Sequence, residues 1–86
     1  MKYALRVTNT FGRELKRLSE RDRERVLSLI EEVQESPYEY KPLSGQLSGA
    51  RSARAGDLRL IYTVDDVQKL IVLLFVGHRE RVYERR

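Results

Sequence analysis

Apolar side chains at the start of the chain first alternate with polar ones and then change to a helical spacing. Tyr3, Leu5 and Val7 have a period of two, which predicts a short, half-buried strand. From residue 11 to residue 18 the apolar side chains recur every three or four positions, which predicts a helix. Gly12 weakens the helical propensity of this segment, so we expect the helix to need packing against a sheet.

A second helix is predicted after Ser19. Ser19 and Asp22 resemble the capping box that opens a helix, and Ser36-Pro37 ends the helical pattern. The charges from residue 13 to residue 25 are mixed in sign, which is typical of a solvated helical surface. The predicted inner face of this second helix consists of Val26, Leu27, Ile30 and Val33.

The second half of the chain begins with a loop and then changes to period two. Proline, glycine and serine recur over residues 37–49, which predicts the loop. Strands are predicted after Ala50, over Leu58–Val64 and over Lys69–Val76, with turns at residues 56–57 and 65–66. The strand Lys69–Val76 has apolar residues on both faces and is expected to be the best buried. The predicted fold class is α+β: a strand, two helices, then three antiparallel strands forming a small sheet, with a basic C-terminal tail.

Composition limits the class of protein further. A chain of 86 residues accommodates one domain, predicted over residues 1–86. The absence of cysteine excludes disulfides and thiolate metal sites. The longest apolar run, Leu70–Val76, is far shorter than the roughly 18 residues of a membrane span. We therefore expect a cytoplasmic protein that does not bind a membrane.

The positive charge lies in the second half of the chain. Residues 1–40 hold eight Lys or Arg and eight Asp or Glu, so the whole formal excess of +4 falls in residues 41–86. Such an excess favours a polyanionic partner, and it suits either a nucleic acid or an acidic protein.

Arginines of the predicted strands are the first candidates for binding a phosphodiester. Arg51 and Arg54 are three positions apart, so on a regular strand they point to opposite faces. Arg59 stands in mid-strand between two leucines, so it must reach an open face or pair with an acid. Two roles stay open for Arg59: phosphate binding, or a salt bridge to Asp57 or to an acid on a helix.

Three residues near the C-terminus carry the remaining candidate chemistry. Arg79 is either a phosphate ligand or a solvated charge, and Tyr83 is a proton acceptor, a stacking ring or a cap on the core. His78 is the only histidine, so the acid and base pair of many nucleases is missing. The acids show no metal-ligand spacing, and the glycine-rich segment lacks the lysine of a phosphate-binding loop. We expect a site without metal or cofactor.

Two motifs resemble the RelE/ParE superfamily of toxin–antitoxin toxins. They are RxGDxRxxY over residues 54–62, and Val76-Gly77-His78-Arg79 followed by Val82-Tyr83. The resemblance covers nearly the whole chain, and its ending is closer to the RelE branch. It implies a RelE-like fold and a toxin that enters the ribosomal A site and cuts mRNA without metal, by attack of a ribose 2′-hydroxyl on the adjacent phosphate. ParE-like toxins instead inhibit DNA gyrase.

The resemblance also assigns roles to individual residues. It places Arg59 and Arg79 on the scissile phosphate and Tyr83 at the 2′-hydroxyl, which makes these three the predicted catalytic residues. The predicted RNA-binding residues are Arg51, Arg54, His78 and Arg81. Arginines stand where some RelE proteins have lysines, so His78 is a candidate donor to the leaving 5′-oxygen.

Partners follow from the same resemblance. They are a cognate acidic antitoxin, mRNA in the ribosomal A site and rRNA. Two alternatives to the ribonuclease are a ParE-like gyrase inhibitor and a catalytically inactive, toxin-derived interaction module.

Overall fold

A computed structural model of the protein describes residues 2–78. The predicted site residues Arg79, Arg81 and Tyr83 lie outside the described residues. The elements are β1 (Ala4–Val7), α1 (Asn9–Arg17), α2 (Glu20–Glu35), β2 (Lys41–Pro42), a 3₁₀ turn (Gly45–Leu47), β3 (Arg51–Ala55), β4 (Leu58–Asp65) and β5 (Leu70–His78).

The strands form one mixed sheet in the order β1-β5-β4-β3-β2. β1 is parallel to β5, and the other neighbours are antiparallel. The predicted α+β class is therefore confirmed, and the sheet has five strands because β1 joins its edge and the short β2 extends the other edge. Within residues 2–78, no helix is both long enough and apolar enough to cross a bilayer.

Side-chain caps set where the two helices begin. Thr8 Oγ1 accepts a hydrogen bond from the Phe11 N–H at 3.1 Å, and Ser19 Oγ accepts one from the Asp22 N–H at 3.1 Å. Each cap satisfies a backbone donor that has no partner inside the helix. The predicted start of α2 at Ser19 is thus confirmed.

The core lies between the two helices and one face of the sheet. Leu27 was predicted to face it, but its side chain is 51% exposed, and Leu29 is buried instead. Leu27 is displaced by about 100° around the helix from the buried Val26, and this turns its side chain to solvent. The largest fully buried side chains of the core are Phe11, Val26, Val33, Leu58, Leu60, Tyr62, Ile71, Leu73 and Val76.

Two expectations about strand burial are wrong. β1 is exposed along its whole length, with Val7 53% exposed, because β5 is its neighbour on one side and its other edge is unpaired. β4, rather than β5, has the longest buried stretch, since it is the central strand of the five. Val72, Leu74 and Phe75 of β5 are half-buried.

A β-bulge in β5 reverses the faces of its last residues. Ile61 pairs with Phe75, whereas the next residue, Tyr62, pairs with Leu73, so Leu74 is the extra residue. Ile71 and Leu73 point into the core before the bulge, and Val76 does so after it. Because side chains alternate along a strand, Gly77 then belongs to the opposite face and His78 to the helix side.

Candidate nucleic-acid interface

Two arginines meet on the face of the sheet that points away from the helices, which we call the open face. Arg54 of β3 is registered directly opposite Arg59 of β4, and Arg59 is opposite Gly77 of β5. Side chains that face each other in this way have Cβ atoms about 5 Å apart. Arg54 is exposed, and among residues 2–78 it forms no ion pair. We call Arg54 and Arg59 the cationic pair.

The next row of the open face combines a cation with apolar side chains. Lys41, Ser52, Ile61 and Phe75 are neighbours across β2, β3, β4 and β5. Ser52 Oγ is buried there and has no hydrogen-bond partner among the described residues. Asp65 lies at the end of β4 that is far from the cationic pair, and its Oδ1 accepts hydrogen bonds from the N–H groups of Val67 and Gln68.

Arg51 lies on the other face, as the spacing of the sequence predicts. Its Nη1 donates to the carbonyl oxygens of Tyr40 at 2.8 Å and Tyr38 at 3.3 Å, and its guanidinium stacks 5.0 Å from the centre of the Tyr38 ring. The Tyr62 hydroxyl donates to the Pro37 carbonyl at 2.7 Å in the same region. Arg51 therefore attaches the loop after α2 to the sheet and is separated from the cationic pair.

His78 is also separated from the cationic pair, because the bulge turns it toward α2. Its Nδ1 is 2.9 Å from Asp57 Oδ2, and its Nε2 is 3.5 Å from Asp22 Oδ2. The hydrogen bond with His78 lowers the pKa of the Asp57 carboxyl. Arg25 Nη1 lies 3.5 Å from Asp22 Oδ1, and its Nη2 donates to the Ala55 carbonyl at 3.1 Å. We call Asp22, Arg25, Asp57 and His78 the His78 cluster.

Gly56 makes room for this cluster. Its φ is +63°, which favours glycine, and a Cβ on it would collide with the Arg25 guanidinium. The Gly-Asp turn thus serves two purposes: it reverses the chain between β3 and β4, and it lets α2 approach the turn closely.

Sequence reasoning missed several residues that hold the site together. The sequence pattern was interpreted as placing Glu14, Asp22 and Arg25 on a solvated helical surface. Glu14 is instead buried, and its Oε1 accepts the Val76 N–H at 3.0 Å. The signal available was weak: Glu14 is adjacent to Leu15 and three residues after Phe11, on the helical face that packs inward.

The open face can hold an anion by charge alone. Two guanidinium groups on neighbouring strands offer planar donors that match the oxygens of a phosphate. Among residues 2–78, no group of three His, Asp or Glu side chains is placed to bind a metal ion.

The sequence model of a protein family, the ParE toxin of the type II toxin–antitoxin system parDE, matches residues 5–83. The chain belongs to this family. Toxin RelG of Mycobacterium tuberculosis is 37% identical over 87 aligned positions, which cover 99% of this chain and 100% of RelG. Toxin RelE of the same organism is 30% identical over 83 positions, 94% of this chain and 86% of that toxin.

Solved structures of RelE toxins have the same fold as this toxin. A chain of the toxin–antitoxin complex RelBE2 from Mycobacterium tuberculosis superposes with a TM-score of 0.86 at 36% identity, covering 92% of this chain and 93% of its own. The isolated E. coli RelE toxin has a TM-score of 0.80 at 28% identity, with coverage of 96% and 93%. The resemblance read from the two motifs is confirmed: the chain is a RelE-like toxin.

Proposed function

We propose that this toxin is a ribosome-dependent endoribonuclease that cleaves mRNA and so inhibits translation. The observation that carries the proposal is the cationic pair, two arginines side by side on an open face of the sheet. An anion that lies beside these two positive charges offsets their mutual repulsion. A phosphodiester is the anion whose geometry the two guanidinium groups match.

In the proposed reaction the ribose 2′-oxygen attacks the adjacent phosphorus, and the bond from phosphorus to the 5′-oxygen breaks. The products are a 2′,3′-cyclic phosphate and a 5′-hydroxyl, so one proton leaves the 2′-hydroxyl and one reaches the 5′-oxygen. Arg59 and Arg79 stabilise the charge that develops on the phosphate, and Tyr83 accepts the 2′ proton. Arg54 and Arg81 hold the flanking RNA backbone.

The proposal places Arg51 and His78 in supporting roles. Arg51 is occupied by two backbone carbonyls, and His78 by two carboxylates. Both side chains face away from the cationic pair, so we assign the proton for the 5′-oxygen to a group other than His78.

The proposed antitoxin is an acidic protein that neutralises the basic surface. Relatives support this partner: the RelBE2 structure from Mycobacterium tuberculosis and the intact RelBE structure from E. coli are both toxin–antitoxin complexes. Co-expression of such a protein should restore growth, and it should protect the toxin from thermal unfolding because it binds the folded state.

The first test is cleavage of mRNA on programmed ribosomes, with mapping of the new 5′ ends. Wild-type toxin should cut in the A site, and Arg59→Ala should cut about 100-fold more slowly, the usual cost of removing a donor to transition-state charge. Arg21→Ala is the matched control, since Arg21 is an exposed arginine on α2. Intact message with the wild-type protein would refute the proposed activity.

A second candidate is gyrase inhibition, which the ParE name of the matching family model favours. Induction of the toxin in cells separates the two activities: DNA damage signalling with uncut mRNA identifies a gyrase inhibitor. A third outcome is intact mRNA without DNA damage signalling. If Arg79→Ala and Tyr83→Ala also leave toxicity unchanged, the protein is an interaction module without catalytic activity.

A further inference from the structure

The His78 cluster joins three segments that meet at the end of the sheet. Asp57 belongs to the turn between β3 and β4, Asp22 to the first turn of α2, and His78 is the last residue of β5. The contacts of His78 with Asp57 at 2.9 Å and with Asp22 at 3.5 Å hold the end of β5 on the helix side. Arg25 reinforces the arrangement by binding both Asp22 and the Ala55 carbonyl.

Stability alone does not explain this cluster. The side chains of His78 and Asp57 are 47% and 66% exposed, and contacts this exposed contribute little to stability. The core beneath, with Leu58 and Val76 buried, holds the strands together without them. What the cluster does fix is the position of His78, the last residue of β5.

The residue that follows this point is Arg79, which the proposed function places on the scissile phosphate. Consecutive Cα atoms are separated by about 3.8 Å, so a fixed His78 restricts where the Arg79 backbone can lie. Phosphoryl-transfer chemistry is sensitive to such placement, because a misplacement of about 1 Å can cost up to 100-fold in rate.

Both ring nitrogens of His78 face carboxylates, so the ring is held from two sides. The charged groups around it are Asp57 from the turn and Asp22 and Arg25 from α2. Loss of either carboxylate therefore leaves the ring held at one nitrogen only.

We propose that Asp57 and His78 are positioning residues of the toxin: together with Asp22 they orient the segment after β5 for catalysis. The inference rests on the proposed ribonuclease function. It assigns to the Asp of the Gly-Asp turn a part in the reaction, although its carboxylate lies on the opposite side of the sheet from the cationic pair.

The test compares two exposed aspartates at opposite ends of the sheet. Asp57→Asn keeps a residue suited to the turn but weakens the bond to His78. Asp66→Asn is the matched control, because Asp66 also forms an exposed ion pair, with Lys69 at 3.3 Å. At saturating programmed ribosomes Asp57→Asn should cleave about 10- to 100-fold more slowly than wild type, with an unchanged half-saturating concentration, and Asp66→Asn should match wild type.

A second variant removes the other partner of the contact. His78→Gln keeps one side-chain donor but cannot contact both carboxylates, so it should also cleave more slowly than wild type at saturating ribosomes, with an unchanged half-saturating concentration. A role in stability alone would lower the unfolding temperature and leave the maximal cleavage rate of the folded toxin unchanged.

The outcomes are distinct. If wild-type toxin leaves the message intact, the proposed function and this inference fall together. If wild type cleaves and Asp57→Asn cleaves as fast, the inference alone is overturned. The inference is also overturned if Asp57→Asn raises the half-saturating concentration of ribosomes and leaves the maximal rate unchanged. That result would show that the cluster contributes to RNA binding and not to catalysis.

Discussion

At the scale of single residues, the register of a strand pair decides which charges act together. Arg54 and Arg59 are five positions apart in the sequence, on either side of the Gly-Asp turn. The hairpin makes them direct neighbours, whereas Arg51, three positions from Arg54, is on the other face. The sequence pattern predicted the separation of Arg51 from Arg54, but pairing of Arg54 with Arg59 needed the turn geometry.

The cationic pair should lower the free energy of unfolding and raise the rate of cleavage. Arg54→Gln removes a like-charge contact, so we expect the free energy of unfolding to rise by about 0.5 kcal/mol. Cleavage on the ribosome should fall at least about tenfold, because a charged donor to the RNA backbone is lost. Urea unfolding and the cleavage assay measure the two effects.

Salt provides the control for this prediction. At about 1 M salt the Debye length is near 3 Å, so the gain in stability should vanish. If Arg54→Gln is less stable than wild type at low salt, the repulsion between Arg54 and Arg59 does not destabilise the toxin and the prediction is wrong.

At the scale of elements, α1 continues the edge of the sheet where β1 ends. The Thr8 N–H and Oγ1 donate to the Leu73 carbonyl at 3.3 Å and 3.0 Å, and Glu14 accepts the Val76 N–H. These bonds satisfy groups of β5 that β1 is too short to reach. A buried carboxylate therefore replaces a strand, which explains why a glutamate in a charged helix is turned inward.

Glu14 should be needed for stability through its oxygen atoms. Glu14→Ala leaves the buried Val76 N–H without an acceptor, which should cost about 1–3 kcal/mol. Glu14→Gln keeps an amide oxygen of similar reach and should recover most of this loss. Thermal and urea unfolding of both variants test the prediction, and equal destabilisation by Ala and Gln would contradict it.

The bulge in β5 is the other device at this scale. One extra residue, Leu74, turns Gly77 to the open face and His78 to α2. Alternation of apolar residues could not reveal it, because Leu70–Val76 is apolar at every position and fits either register.

At the scale of the whole molecule, the charges are segregated by the fold. With Glu14 buried, the outer side of α1 carries Arg13, Lys16 and Arg17, and none of them forms an ion pair within residues 2–78. Arg13 and Lys16 line a groove of about 400 Å³ at the end of β1. Three exposed acids of α2, Glu31, Glu32 and Glu35, lie near its C-terminus. This separation favours approach to a polyanion with α1 toward it.

The outer side of α1 should contribute to ribosome binding through counterion release. Substituting Arg13, Lys16 and Arg17 together by Gln should weaken binding and reduce the slope of log affinity against log salt by about 2, at roughly 0.7 per lost phosphate contact. Binding to programmed ribosomes at several salt concentrations measures the slope. The same substitutions at Glu31, Glu32 and Glu35 are the control, and an unchanged slope for the α1 variant would contradict the prediction.

Sequence periodicity by itself determined the class of fold. The change from period two to a helical period and back located β1, both helices and the later strands, because burial on one side of an element imposes these repeats. The helix start at Ser19, the turn at Gly56-Asp57 and the opposite facing of Arg51 and Arg54 followed from local chemistry. The two motifs were specific enough to identify the toxin family.

Tertiary structure alone decided which residues meet. Pairing across the sheet joined Arg54 to Arg59, the bulge directed His78 to Asp57 and Asp22, and docking of α1 against β5 buried Glu14. Each of these contacts joins residues that local periodicity treats independently, and each depends on a register or a packing distance. The physical reason is that one residue of shift in a strand exchanges its two faces, and only the assembled sheet sets that shift.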